Sequence, residues 1–521
     1  MKLLYRYIFL IILIGGVSFA QVIPNNYDLT SKKSLAKTND ENPTGNGVTD
    51  IVVIGDTIWV GTGNGLSVSF DNGNNWKSFT GTSAFGTEDI SAISYDNGVI
   101  WVATAHKETI NNESVDVGTG LKYTIDNGNI WTSIPQPIDN DNDVTIVYGS
   151  NTLNTLPVTV PQQNVTFDIA FTPGTVWITS WAGGLRKSSN YGVTWERVVL
   201  PPDNLNEIKP ADTLNFCLAV ESGNFCSQGN LNHVAFSVIV PNDSTLFVGT
   251  ANGINRSTDG GVSWKKVNHQ NQNNPISGNF VPALGFNNVN NTIWAATWVA
   301  DQSGEFYGVS LSNDLGENWT VFLNGERTHN FGFKGTDVIA VSDNGAFRSN
   351  NLGSTWITPS FIQDTNSKLT LTTNVFYSAG SNNNDIWLGS SEGLAKFTEK
   401  GGMWSGNWKL FIASQPLLNS DESYAFPNPF IPSIERLKIK YSTGGKSVPV
   451  TIRIFDFGMN YIATVIQNVT RGNPIHNVDS SGIIDYWDGK DANGNIVPNG
   501  VYFYRIDAGG SIQYGKFIVL K

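Results

Sequence analysis

The side chains best suited to chemistry in this chain gather in a few segments rich in carboxylates and aromatics. Glu108, Glu113 and Asp116 stand in one segment, Asp301 and Glu305 in another. Glycoside cleavage needs two carboxyl groups held a set distance apart. Sequence does not fix that distance, so these residues read first as solvated loop charge and no catalytic residue is assigned. Trp181, Trp298 and Tyr307 lie in or beside segments of the same kind. Their rings can stack on a sugar or a peptide, which makes them the candidate ligand-binding residues. The run Asp139-Asn140-Asp141-Asn142-Asp143 alternates carboxylates. It lacks the glycine and the terminal bidentate Glu of an EF-hand loop, so calcium is the one cofactor worth testing and none is expected. Cys217 and Cys226 have only His233 as a nearby histidine. A zinc site needs about four ligands, so no metal is assigned, and the pair reads as a disulfide if the chain is exported.

What must hold these residues is a repeat. S-F-D-N-G-N-N-W begins at Ser69, T-I-D-N-G-N-I-W at Thr124, S-S-N-Y-G-V-T-W at Ser188 and S-T-D-G-G-V-S-W at Ser257. S-N-D-L-G-E-N-W begins at Ser312 and S-N-N-L-G-S-T-W at Ser349, and a degraded copy keeps Glu399, Gly401 and Trp404. A glycine precedes each copy at a fixed offset: Gly65, Gly120, Gly184, Gly253, Gly308, Gly345 and Gly393. Further upstream lie short apolar stretches centred on Trp59, Trp101, Trp177, Phe247, Trp294, Ile339 and Trp387, and before those a second stretch such as Ile51–Ile54 or Phe167–Phe171. Each unit therefore reads as four short strands, A to D, with the repeated segment as the C–D turn. Four strands repeated radially make a propeller, here of seven blades.

The repeated segment resembles the Asp box, S-x-D-x-G-x-x-W, of bacterial neuraminidase repeats, sortilin-type receptors and xyloglucanases. The resemblance implies that Asp71, Asp126, Asp259 and Asp314 cap turns and that Trp76, Trp131, Trp195, Trp264, Trp319 and Trp356 pack between sheets. Asn190 and Asn351 in the Asp slot fit capping, since an amide can accept a turn N–H but cannot do acid–base work. Other motif matches carry no chemistry. Gly389-Ser390-Ser391-Glu392-Gly393 occupies a strand–strand connection, whereas a nucleophile elbow joins strand to helix. Gly444-Gly445-Lys446-Ser447 lacks the first glycine of a phosphate loop, with Lys440 in its place. Arg256 and Arg348 sit beside their boxes and do not make a sialidase arginine triad.

Loop lengths separate the two ends of such a propeller. A–B turns are short, as at Gly55-Asp56, and every C–D turn is a box. The B–C and D–A connections vary: Ala105–Val117, Trp298–Tyr307, Pro135–Thr166 and Pro201–Asn232 are long. Long loops on a rigid scaffold are where binding usually sits.

The termini read as separate units. Lys2 and Arg6 precede the apolar run Ile8–Val17, with small Ser18 and Ala20 before Gln21. This is the pattern of a cleaved secretory signal peptide over 1–20. An extension over 21–48 leads to the propeller at 49–412, and a polar linker over 413–423 leads to a final unit at 424–521. That unit holds strand-like runs at Leu437–Tyr441, Val448–Phe455, Tyr461–Ile466, Ile483–Trp487, Val501–Ile506 and Gln513–Leu520, which suggests an immunoglobulin-like sandwich. Its F-P-N-P-F, W-D-G-K-D-A-N-G-N and P-N-G-V-Y-F-Y-R-I segments resemble the Ig-like domain of flagellar hook-capping proteins and the C-terminal sorting domain of the type IX secretion system. The resemblance implies an outer-membrane secretion machinery as partner and a destination outside the cell or on its surface. A net charge of −12 opposes binding to a phosphate backbone, so nucleic acid is not an expected partner. The expected class is an all-β, extracellular recognition or adhesion protein for a glycan or protein. The alternatives are a polysaccharide-active hydrolase of sialidase or xyloglucanase type and a surface-layer component with no small ligand.

Overall fold

The computed structural model describes residues 42–521 apart from 224–225, 301–303, 367–368, 414–416, 418–422, 434–435, 445 and 473–482. The expected signal peptide and most of the expected extension and linker lie outside the described residues. The chain divides into two compact units, which meet in sequence between Ala413 and Ser414.

The first unit is a seven-bladed β-propeller in which every blade is built from consecutive strands. Blade 1 comprises Val48–Ile54, Thr57–Thr62, Gly65–Ser69 and Lys77–Ser78; blade 7 comprises Phe376–Ser381, Asp385–Ser390, Leu394–Glu399 and Gly406–Phe411. Blades 2 to 5 begin at Asp89, Thr166, Ala235 and Phe280. Blade 6 (Thr328–Lys334, Asp337–Ser342 and Gly345–Ser349) has only a one-bridge fourth strand, Ile357 opposite Arg348. The first strands of successive blades touch all the way round, including blade 7 on blade 1. Among the described residues no strand is exchanged between blades 1 and 7 to close this ring.

The repeated segments explain how the ring holds. In blade 1 the Ser69 hydroxyl donates to Asp71 Oδ1 (2.9 Å) and accepts from the Gly73 N–H (2.8 Å), while Asp71 Oδ1 also accepts from the Asn75 N–H (2.8 Å). Thr124 with Asp126, Ser257 with Asp259 and Ser312 with Asp314 make the same turn. Ser188 with Asn190 and Ser349 with Asn351 do so with an amide. The Ile130 N–H and the Thr124 hydroxyl hold the Asp126 carboxyl below its usual range, as suits a cap.

Two consecutive residues in each such turn are left-handed, for example Asn72 (φ 56) and Gly73 (φ 82). The second must be glycine for a further reason. A Cβ on Gly73 would come within 2.6 Å of the Trp387 ring in blade 7, and one on Gly128 within 2.6 Å of Phe79 in blade 1. On Gly261 it would meet Trp177 at 2.5 Å, and on Gly316 it would meet Phe247 at 2.6 Å. The box tryptophan then stands edge-on to the strand-B aromatic of the preceding blade. Trp131 meets Trp59 at 5.9 Å and 88°, Trp356 meets Trp294 at 5.9 Å and 84°, and Trp76 meets Trp387 at 6.3 Å and 82°. Trp195, Trp264 and Trp319 sit in the equivalent clusters with Trp101, Trp177 and Phe247. Trp76, Trp264 and Trp319 are buried, and each contributes on the order of 3–5 kcal/mol; Trp131, Trp195 and Trp356 are half-buried.

The second unit is a β-sandwich. One sheet joins Ser423–Phe426, Leu437–Tyr441 and Ile483–Trp487; the other joins Tyr461–Arg471, Val448–Phe455, Gly500–Ala508 and Ser511–Val519. Its core includes Phe430, Ile439, Ile452, Trp487, Tyr504 and Phe517. The Asp488–Asn495 segment is a turn in which Asp491 Oδ1 accepts the Asn493 and Asn495 N–H groups, both at 2.9 Å, and Gly494 takes φ 85. Among the described residues no helix is long and apolar enough to cross a membrane.

Candidate functional site

The two ends of the propeller differ as the loop lengths imply. A–B turns and box turns share one end, where the Asn72 N–H bonds Asp56 O and the Gly260 N–H bonds Ser244 O. That end is a ring of near-identical turns. At the other end the blade 2 insertion, expected as a loop, is a regular hairpin. Val99–Ile110 and Glu113–Thr124 pair out to the tip with one register shift between Thr104 and Ala105, and Asn111 (φ 52) and Asn112 (φ 67) form the two-residue turn.

The two longest connections place only part of their length at this end, where 161–163 bond the blade 2 hairpin and Val220 packs beside Trp181. The rest, against expectation, packs along the outer rim of blades 3 and 4. Glu207–Ile208 adds a fifth strand to blade 4, and Thr145–Tyr148, Asn151–Thr155 and Cys217–Leu218 form a separate small sheet. The Tyr148 hydroxyl donates to Val262 O in a box turn at the opposite end of the blade. Apolar Tyr148, Leu153, Ile208 and Leu218 cover Trp177, Leu200 and Trp264, which is why the segments stay on the rim. Cys217 and Cys226 are disulfide-bonded within this buttress. Asp139, first in the run with calcium-like spacing, instead faces two guanidinium groups, Arg186 at 2.7 Å and Arg197 at 3.5 Å. Its charge is already balanced, and it also accepts the Val158 N–H.

A β-bulge interrupts the innermost strand of every blade at the same register, near its start. The extra residues include Phe167, Phe236, His329 and Tyr377. With Phe280 and Trp298 they make a continuous arc across blades 3 to 7. Ring centroids lie 5.6 Å apart for Phe167–Phe236, 4.4 Å for Phe236–Phe280, 5.7 Å for Phe280–Trp298, 5.5 Å for Trp298–His329 and 5.5 Å for His329–Tyr377. Trp298 is 1% exposed, donates its Nε1–H to Thr328 O (2.7 Å) and lies under the Arg327 guanidinium at 4.2 Å. It is therefore a core residue, because the strand that carries it continues one position beyond the expected loop boundary. Trp181 and Tyr307 are half-buried beside the same cluster and keep part of their surface in solvent.

Three of the carboxylates expected in loops, Glu305, Asp116 and Glu108, are individually engaged. Glu305 accepts the Ala300 N–H (2.6 Å) and the Asn279 N–H (3.3 Å), which makes it a loop brace. Asp116 faces Lys107 at 3.8 Å, and Glu108 Oε1 lies 3.0 Å from His106 Nε2. Glu113 is exposed on the hairpin, and Asp301 lies outside the described residues. His106 and its second partner, Glu88, carry no motif that sequence could have flagged.

Directly after the bulge, Asp50 and Asp168 face a central channel of about 470 Å³. Asp50 accepts the Ile51 N–H (2.8 Å) and, from the next blade, the Ile93 N–H (2.7 Å). Asp168 repeats this with Ile169 (2.8 Å) and Val238 (2.8 Å). The two carboxylates thus staple blade 1 to blade 2 and blade 3 to blade 4. Burial pushes their pKa values up to about 6 and about 7, against the pull of those N–H groups.

No protein-family model matches the sequence, and no curated protein matches it. Among solved structures the chain is similar to PorZ, described as an essential bacterial surface component of the type IX secretion system of Porphyromonas gingivalis. The identity is 14% and the TM-score 0.40, over 91% of this chain and 66% of that one. It is similar to an ancestral GH74 enzyme at 13% identity and a TM-score of 0.49, over 93% of this chain and 63% of that one. It is similar to YCF48 from Cyanidioschyzon merolae at 14% identity and a TM-score of 0.37, over 68% and 92%. The chain spans less than two thirds of the length of the first two. None of the three bears on activity, substrate or partner.

The channel carboxylates predict a pH dependence with a definite sign. Unfolded, both groups titrate near 3.8; folded, near 6 and 7. Between about pH 4 and about pH 7 the native state holds protons that the unfolded chain has lost, so stability falls as pH rises through this window. Below it both states are protonated and the cost vanishes. Denaturant midpoints measured across the window should fall more steeply for the native chain than for an Asp50→Asn/Asp168→Asn variant. Equal slopes would mean that both carboxylates titrate normally in the folded protein.

Proposed function

We propose that this chain is a secreted or surface-bound recognition and adhesion protein, with a propeller of the Asp-box type that binds a glycan or protein at its B–C and D–A end. The observation that carries this reading is the asymmetry of the ring. One end is a set of near-identical turns that the packing of the blades fully uses. The other end bears the blade 2 hairpin and the half-buried aromatics Trp181 and Tyr307. Aromatic side chains give large contact area at small entropic cost, which suits them as anchors. The net charge of −12 argues for a partner other than nucleic acid. The C-terminal sandwich is, in this reading, a type IX sorting domain that directs passage across an outer membrane.

Binding to a polysaccharide panel by the purified chain tests the recognition half. Trp181→Ala and Tyr307→Ala should each weaken binding by about 1–3 kcal/mol at unchanged stability. Ser69→Ala, which removes a turn cap, should lower stability by about 1–2 kcal/mol and leave binding as it is. A ligand that is lost with Ser69→Ala in a fully folded protein would place the site at the wrong end. The sorting half has its own readout. A chain ending at Ser423 should fold its propeller yet fail to reach the surface of its native cell, and normal delivery would refute the role.

A further inference from the structure

A pocket of about 410 Å³ opens between blades 1 and 2, beside the base of the blade 2 hairpin. Phe85 and Glu88 come to it from the connection between the two blades, Thr119 and Lys122 from strand C of blade 2, and Ser133 and Ile134 from strand D. Its walls are fixed in advance. The connection folds on itself through Gly86 N–H to Thr82 O (2.8 Å) and Glu88 N–H to Phe85 O (3.1 Å). Phe85 is buried and edge-on to the box tryptophan Trp131 at 4.8 Å and 90°. The pocket therefore borrows its rigidity from the same packing that joins the blades.

The polar groups are unusual for a wall that serves packing alone. Lys122 is only 6% exposed, and its ammonium donates to Thr104 Oγ1 (2.7 Å) and lies 5.6 Å from the Phe85 ring. A lysine ammonium has three donors, and this one spends a single hydrogen bond among the described residues. Burial lowers its pKa, offset in part by the charge of Glu88. Glu88 Oε2 lies 2.8 Å from His106 Nδ1, and His106 Nε2 lies 3.0 Å from Glu108 Oε1. Burial alone would lower the pKa of His106, but its contacts with Glu108 and Glu88 outweigh that and raise it. With His106 protonated, the charges of Glu88, Glu108, Lys122 and His106 cancel.

That balance selects the ligand class. A net anion or cation would enter this pocket with no opposite charge left to compensate it. A hydroxyl-rich ring needs no such charge. One hydroxyl can accept from the Lys122 ammonium while another donates to Glu88 Oε1, and the ring can rest against the exposed Ser133 and Pro135 at the pocket rim. We infer that this pocket is a subsite for one neutral pyranose residue of a glycan. The inference rests on the recognition reading above and gives the glycan a definite point of attachment on blades 1 and 2.

The test uses the full chain and the methyl glycosides of glucose, galactose and mannose as probes, with binding followed by ligand-observed NMR. N-acetylneuraminic acid and leucine serve as an anionic and a zwitterionic comparison. At least one neutral glycoside should bind, and Lys122→Met and Glu88→Gln should each weaken it by about tenfold or more, the loss of one charge-assisted hydrogen bond. Ser133→Trp, which narrows the pocket without touching a charge, should weaken it too. Lys209→Met, the same exchange at an exposed lysine on the outer rim, should not. Thermal unfolding of each variant confirms that it is folded. Polysaccharide binding without binding of any neutral glycoside would overturn this inference and leave the recognition reading standing; loss of both would overturn the two together. A glycoside that binds equally well to Lys122→Met and Glu88→Gln would place the subsite elsewhere. Preference for N-acetylneuraminic acid or leucine would overturn the neutral-sugar assignment.

Discussion

The ring depends on one contact made again and again: the box glycine and tryptophan of a blade against the strand-B aromatic and the neighbouring strand-D side chains of the blade before it. The left-handed turn brings the glycine Cα onto a side chain of that blade, such as Trp387, Trp177, Phe247 or Phe322, that leaves no room for a Cβ, and the tryptophan packs beside it. Blade 1 makes this contact with Trp387 and Phe411 of blade 7, so among the described residues the propeller closes through side chains and without an exchanged strand. Polar contacts reinforce the seam. Asn46 exchanges two hydrogen bonds with the backbone of Ala413, and the Lys396 and Lys409 ammonium groups donate to Asn72 O and Gly73 O. The exception supports the rule. Blade 6 offers Ile339 where other blades have an aromatic, and blade 7 carries the degraded box. There Arg348 takes over, paired with Glu399 and Asp337 at 2.6 Å each and lying 5.6 Å from the Trp404 ring.

This economy divides the molecule. Turns committed to the blade-to-blade contact cannot vary, so variation falls on the other end and on the rim. The seven bulges sharpen the division, because each adds one extra residue near the start of the innermost strand. Across blades 3 to 7 those residues and their neighbours are aromatic and pack together. In blades 1 and 2 the corresponding residues are Thr49 and Ser91, and Thr49 spends its hydroxyl on Ile90 O in the next blade. Beside that polar side lies the pocket of Lys122 and Glu88.

Much of this architecture was legible in the sequence, because the repeat carries its own physics. Seven boxes, the glycine before each and the apolar stretches upstream sufficed for the blades and their strand order. The alternation in Leu437–Tyr441 and its successors sufficed for the sandwich. What stayed hidden depends on where a segment goes once it leaves a strand. Trp298 sits at a strand end, where one residue of extra pairing decides between solvent and core. Asn111-Asn112 is a turn signal, yet the flanking alternation is short and polar, so the hairpin read as a loop. The connections that hold Asp139, Tyr148 and Cys217 travel to the rim because of contacts with Trp177 and Trp264, which are distant in sequence. Lys122 and His106 are single residues on strands, and only the folded chain brings them to Glu88.

The most direct test of the account is a double-mutant cycle across the seam between blades 1 and 7. Trp76→Ala, Trp387→Ala and the double variant would be compared with the native chain by denaturant unfolding. If the two rings form the contact that closes the propeller, the double variant should be less destabilised than the sum of the single ones, by about 0.5–1.5 kcal/mol or more. Additivity to within roughly 0.5 kcal/mol would contradict it, because the seam would then hold by means other than this pair.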